Sequence, residues 1–287
     1  MTSVYRGYTP DQLQSQYSAR AAVPEHPLIF RHWRELSAAY RASANCRLDL
    51  RYGNSPGEKL DLFIPAVNQP PLLIFIHGGY WQAMGKSDFS FIAGELVAQG
   101  VAVAIPGYDL CPAVAMDQIV RQIRRALLWL TRNAAAYGVD TGRIHLCGHS
   151  AGGQLIAMLL AVEWEGIEPG FESADLRSGL AISGLFDLEP LIHTAINDAL
   201  GLDIESARCN SPILAQPRCK VPLLLAVGGD ESAEFHRQSR TFARVWGGLG
   251  VPVRYQALEG LNHFTLVEQL ARPESMLLRL LLDLIGL

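Results

Sequence analysis

From residue 46 onward the chain alternates between short apolar runs and longer stretches with helical spacing. Eight β-rich runs stand out: CRLDLRYG, KLDLFIP, PLLIFIH, VAVAIPGY, RIHLCGH, GLAISGL, VPLLLAVGG and VPVRYQAL. Several are apolar at every position, as expected of strands covered on both faces. Between the later runs the spacing predicts helices over 116–137, 152–164, 234–247 and 273–285. In the first of these, Ile119, Ile123, Ala126, Leu127 and Leu130 recur on one face. The first 45 residues are more polar and predict two helices, PDQLQSQYSAR and PLIFRHWRELSAAYRAS. Strand–helix alternation of this kind implies a mostly parallel, doubly wound α/β sheet, with ligands beyond the carboxyl ends of its strands.

Composition narrows the picture. The chain has 287 residues, 49% of them hydrophobic and 18% charged, and a formal net charge of −4. A slightly acidic balance argues against nucleic acid or an anionic membrane as partner. The polar opening MTSVYRGYTPDQLQSQ has no signal-peptide pattern, and no apolar run approaches a membrane span; in MLLRLLLDLIGL, Arg279 and Asp283 interrupt the closest candidate. The five cysteines form no C-x-x-C pair, so free thiols in a cytoplasmic protein are expected, without disulfide framework or zinc site. Self-association into a homodimer stays open.

Two strand exits carry the chemistry. In RIHLCGHSAGGQLIAMLLA a strand runs into Gly148-His149-Ser150-Ala151-Gly152 and a helix follows at once. This is G-x-S-x-G in its strand–turn–helix setting, which exposes a serine hydroxyl at a sharp turn. A nucleophilic serine needs a base and an orienting acid, in the chain order serine, acid, histidine. Asp230 and Glu231 both follow a later strand, and His263 lies in a loop before the last helix, which leaves the choice of acid open. The other exit, PLLIFIHGGYWQ, ends in a glycine pair. Gly78 and Gly79 let backbone amides approach a substrate closely and, with the Ala151 amide, would form an oxyanion hole, His77 bracing them. Tyr80 and Trp81 are expected beside the reacting carbonyl as substrate-binding walls. Cys147, His145 and His149 read as structural, and Ser183, Gly184 and Asp187 equally well as pocket-shaping residues or as turn and cap.

HGGYW at 77–81, GHSAGG at 148–153, EFHRQS at 234–239, NHF at 262–264 and EKLDLFIP at 58–65 resemble the kynurenine formamidase (arylformamidase) branch of the α/β-hydrolases, over most of residues 50–270. Tyr80 stands where the hormone-sensitive-lipase branch usually has a third glycine. The resemblance implies an α/β-hydrolase fold with a mostly parallel eight-stranded sheet flanked by helices. Residues 1–287 would form one domain, with 1–45 a helical extension and partial lid. It carries the triad acid onto Glu231, giving Ser150, Glu231 and His263. The implied activity is cleavage of a formamide or small ester through an acyl-enzyme without metal or organic cofactor, with N-formylkynurenine the leading small-molecule substrate. A broad short-acyl carboxylesterase is the alternative, and a non-catalytic binding protein on a hydrolase scaffold the more distant one.

Overall fold

A computed structural model describes residues 3–164, 167 and 175–287. Every expected apolar run forms a strand: β1 (Cys46–Arg51), β2 (Lys59–Phe63), β3 (Pro71–Ile76), β4 (Ala102–Pro106), β5 (Asp140–His149), β6 (Leu176–Ile182), β7 (Leu223–Gly228) and β8 (Val253–Leu258). They join one sheet in the order β1-β2-β4-β3-β5-β6-β7-β8. The β1–β2 and β2–β4 pairs are antiparallel and all others parallel.

Apolar side chains face both ways because helices cover both sides. Alternate residues of β3 divide between two cores. Leu72, Ile74 and Ile76 point to one, and Leu73 and Phe75 to the other. The first core is closed by α5 (Met116–Asn133), α6 (Ala151–Leu160) and α9 (Ala233–Gly248); the second by α3 (His26–Ser43), α4 (Ala93–Ala98) and α11 (Met276–Ile285). Shorter helices are α1 (Pro10–Tyr17), α2 (Ala19–Ala22), α7 (Asn197–Leu200), α8 (Ile204–Cys209) and α10 (Thr265–Glu268). Among the described residues no helix is long and apolar enough to cross a membrane.

Helix ends differ from the spacing-based expectation for local reasons. The helix from Met116 gives way to a 3₁₀ turn over Ala134–Tyr137. The last helix starts at Met276 rather than Pro273, because the Ser275 hydroxyl caps it by accepting the Leu278 N–H.

The N-terminal extension is fastened to the sheet domain. Thr9 and Gln12 form a reciprocal capping box that starts α1. Tyr17, fully buried, donates to Glu234 of α9 at 2.7 Å. On α3, Trp33 stacks on Phe91 and donates from its indole N–H to Glu268.

Candidate active site

Register brings the strand exits together. Ile76 of β3 pairs with Gly148 of β5, His149 with Ile182 of β6, and Ile182 with Ala226 of β7. The residues that follow these strands therefore leave the same edge side by side: His77, Ser150, Ser183 and Glu231. His263 joins them from the loop between β8 and α10.

At the β5–α6 turn Ser150 adopts φ 57° and ψ −116°, a conformation that costs a non-glycine residue ~1–3 kcal/mol. Its amide donates to Ile182 O at 2.7 Å, which holds the turn. The flanking glycines are steric necessities. A Cβ on Gly152 would lie 1.9 Å from Ile76 O, and one on Gly148 2.2 Å from Gly152 O. Ser150 is 2% exposed.

Of the two acids after β7, Asp230 is exposed and engages Leu261 O through its amide alone. The Glu231 side chain is buried and accepts a hydrogen bond from His263 Nδ1 at 2.7 Å. Donation from Nδ1 leaves Nε2 as the basic nitrogen of His263. The second Glu231 oxygen accepts from Gly228 N–H at 2.7 Å and from Ser183 Oγ at 2.5 Å. Ser183 itself holds φ 52° and is fully buried. It is the site residue that spacing alone left undecided between pocket and turn. Its only sequence signal was a serine at a strand exit.

His149 lies beneath this pair. Its Nε2 donates to His263 O at 2.9 Å, and burial, with His263 alongside, holds its pKa well below the usual histidine value.

The β3 exit packs against the elbow. A Cβ on Gly78 would meet His149 O at 2.8 Å and Ser150 Cβ at 3.0 Å. Gly79 has φ 116°, and a Cβ there would stand 2.0 Å from Ala83 O. His77 donates from Nδ1 to Gly78 O at 2.8 Å and stacks on Tyr108, 4.2 Å between centroids. Burial lowers its pKa to about 4, so the ring is a neutral brace. Among the described residues no acceptor is bonded to the N–H of Gly78, Gly79 or Ala151.

The two aromatics part company. Tyr80 lines the cavity over Ser150, and its hydroxyl donates to Tyr17 O at 2.6 Å. Trp81 lines no part of that cavity. It is fully buried in the core and donates from its indole N–H to Gln154 of α6. The expectation of a second pocket wall is corrected there: a left-handed backbone at both residues, φ 51° and 56°, sends the indole under the loop. Cys147 is buried and its thiol pKa is pushed up, as a structural thiol requires.

Ser150 and His263 share a cavity of only about 30 Å³, closed by Ala19, Arg20, Phe30 and Trp33 of the extension. Among the described residues no group of three or more His, Cys, Asp and Glu side chains is placed to hold a metal ion.

Comparison with known proteins gives the family and the fold. Residues 60–176 match the BD-FAE family model. The kynurenine formamidase of Danio rerio is 32% identical over 97% of this chain and 94% of its own length. That of Salmo salar is 33% identical over 98% and 95%. A crystal structure of a provisional thioesterase from Silicibacter sp. TM1040 superposes with a TM-score of 0.83 at 34% identity, covering 93% of this chain and 98% of the other. Esterase B of Lactobacillus rhamnosis shares the fold, with a TM-score of 0.72 at 20% identity, covering 93% and 96%.

Proposed function

Since the chain belongs to the kynurenine formamidase family of α/β-hydrolases, we propose that it cleaves aryl formamides, N-formylkynurenine first among them, by a serine acyl-transfer mechanism. The observation that carries this reading is the buried Glu231–His263 hydrogen bond, with His263 and the strained Ser150 on one cavity.

In this reading His263 Nε2 takes the Ser150 proton as Oγ attacks the formyl carbon. Glu231 keeps Nδ1 protonated and stabilises the imidazolium that results. The oxyanion that forms is met by the amides of Gly78, Gly79 and Ala151, each such donor lowering the barrier by ~3 kcal/mol. His263 then delivers its proton to the departing arylamine, and the C–N bond breaks. Water, deprotonated by the same nitrogen, attacks the formyl ester of Ser150 and releases formate.

A cavity of about 30 Å³ is far below the ~150 Å³ of an apolar cavity that admits benzene. The reading therefore includes a lid. Residues 10–43 cover the site in the state described and must move for an aryl substrate to enter. The same small cavity favours, as a second reading, a short-acyl carboxylesterase. A small-molecule substrate and a cytoplasmic setting complete the proposal, the latter supported by five cysteines that all remain free thiols.

The deciding measurement is kcat/KM for N-formyl-L-kynurenine beside p-nitrophenyl acetate on one sample. A formamide value near or above the ester value is expected. Good ester turnover with little formamide cleavage would select the second reading.

A further inference from the structure

Apart from its histidines, the cavity over Ser150 has an almost wholly uncharged lining, Phe30, Trp33, Met84 and Phe264 among its walls. The exception is Arg20, on the short helix α2 of the extension. Its guanidinium carbon lies 5.7 Å from the Phe30 ring centroid, a cation–π contact that places the charge against the aromatic wall. Among the described residues Arg20 joins no ion pair and donates no side-chain hydrogen bond. Two other arginines on or against the extension are engaged differently: Arg41 is paired with Asp61, and Arg237 with Glu234.

Arg20 also lines a second, open groove of about 390 Å³, which shares Ala19, Gly79 and Tyr80 with the reaction cavity. Arg20 thus stands where a small apolar chamber holding the nucleophile meets a larger space able to take a substituent. An aromatic ring suits the wall, a reactive carbonyl suits Ser150, and an unpaired planar cation at the junction suits a carboxylate, which it can bind through two parallel N–H donors. In a chain of net charge −4, this cation is also a local reversal of the field an anionic substrate would meet.

We infer that Arg20 forms a carboxylate-binding subsite, so that the favoured substrates are aryl formamides whose leaving amine carries an acid group. This deepens the function proposed above and rests on it. The subsite sits on the extension, so a bound carboxylate would also draw α2 over the substrate, and ground-state binding rather than the chemical step would carry its effect.

The test compares wild type, Arg20→Gln and Arg20→Lys on N-formyl-L-kynurenine, on its analogue with the carboxylate replaced by a primary carboxamide, and on formanilide. Arg20→Gln should raise KM for the carboxylate substrate about tenfold or more, the scale of one charge-assisted pair, with kcat little changed. Formanilide, which is uncharged, and the carboxamide analogue, whose one charge is its α-ammonium, should change far less, and Arg20→Lys should restore part of the loss. An equal change on formamides with and without a carboxylate, or none on the carboxylate substrate, would overturn the subsite while leaving the formamidase reading intact. A wild type that turns over no formamide would sink that reading instead. The same three proteins on phenyl acetate and 3-acetoxybenzoate then decide Arg20 independently, through loss of preference for the carboxylate ester or its retention.

Discussion

Glu231 has no idle oxygen: one binds His263, the other Gly228 N–H and the Ser183 hydroxyl. That arrangement separates the neighbouring acids by function. Glu231→Gln should cut kcat by at least ~10³-fold, as should Ser150→Ala and His263→Ala with the fold intact, whereas Asp230→Asn should stay within a few-fold of wild type. Steady-state kinetics on matched samples checks this, and the reverse order for the two acids would move the role to Asp230. Ser183 offers a sharper test. Glycine there relieves φ 52° but removes the donor to the carboxylate. Ser183→Gly should hold or raise Tm while lowering kcat, because Glu231 loses one of the bonds that fix it against His263. Unchanged activity would reduce Ser183 to a turn residue. Residues at this scale were unevenly legible. Ser150 and the glycines announce themselves because the elbow tolerates few alternatives. Trp81 did not, because whether an indole faces solvent or core depends on two backbone angles that no side-chain pattern encodes.

At the scale of elements, the extension is held over the site by hydrogen bonds that join it to different parts of the sheet domain: Tyr80 to Tyr17 O, Tyr17 to Glu234, Ser232 to Gln16 O, Tyr5 to Asp187. If it gates entry, loosening one tie should speed bulky reagents and leave small ones alone. Tyr80→Phe removes the hydroxyl from Tyr17 O and should raise the rate at which a bulky aryl fluorophosphonate labels Ser150 several-fold, with little change for a small alkyl one. A mutant that treats both reagents as wild type does would make residues 10–43 a fixed wall. The strands were the most legible elements, since burial on both faces leaves continuous apolar runs such as Leu72–Ile76. Which face of the extension meets the site was not legible. Leu13 and Tyr17 of α1 are fully buried, yet the hydrogen-bond partners of the Tyr17 hydroxyl lie on α9, some two hundred residues on.

The whole molecule keeps three neutral histidines inside. Burial lowers His77 and His145 to about 4, and His149 well below its ordinary value. Unfolding returns each to ~6.5, so between pH 6.5 and 4 the unfolded chain binds more protons. Their contribution to stability is complete above about 6.5 and is lost as pH falls, by up to ~1.4 kcal/mol per pH unit for each histidine once the unfolded group is protonated. Urea unfolding at pH 7, 6 and 5 should show this decline well above the range where carboxylates titrate, and a flat profile would contradict the assignment of neutral buried rings.

The roof of the site is made of residues synthesised first, and what it rests on is made last. Tyr17 must wait 217 positions for the Glu234 carboxylate that receives its hydroxyl, and His263 comes later still. During translation Trp33 already has Phe91 to stack on, but the Tyr17 hydroxyl and the Phe30 ring, which meets Phe264 edge-on, lack these partners until the final strands emerge. Such a chain completes the cavity over Ser150 late, and a ribosome stalled before residue 231 would hold Ser150 without Glu231, His263 or Phe264.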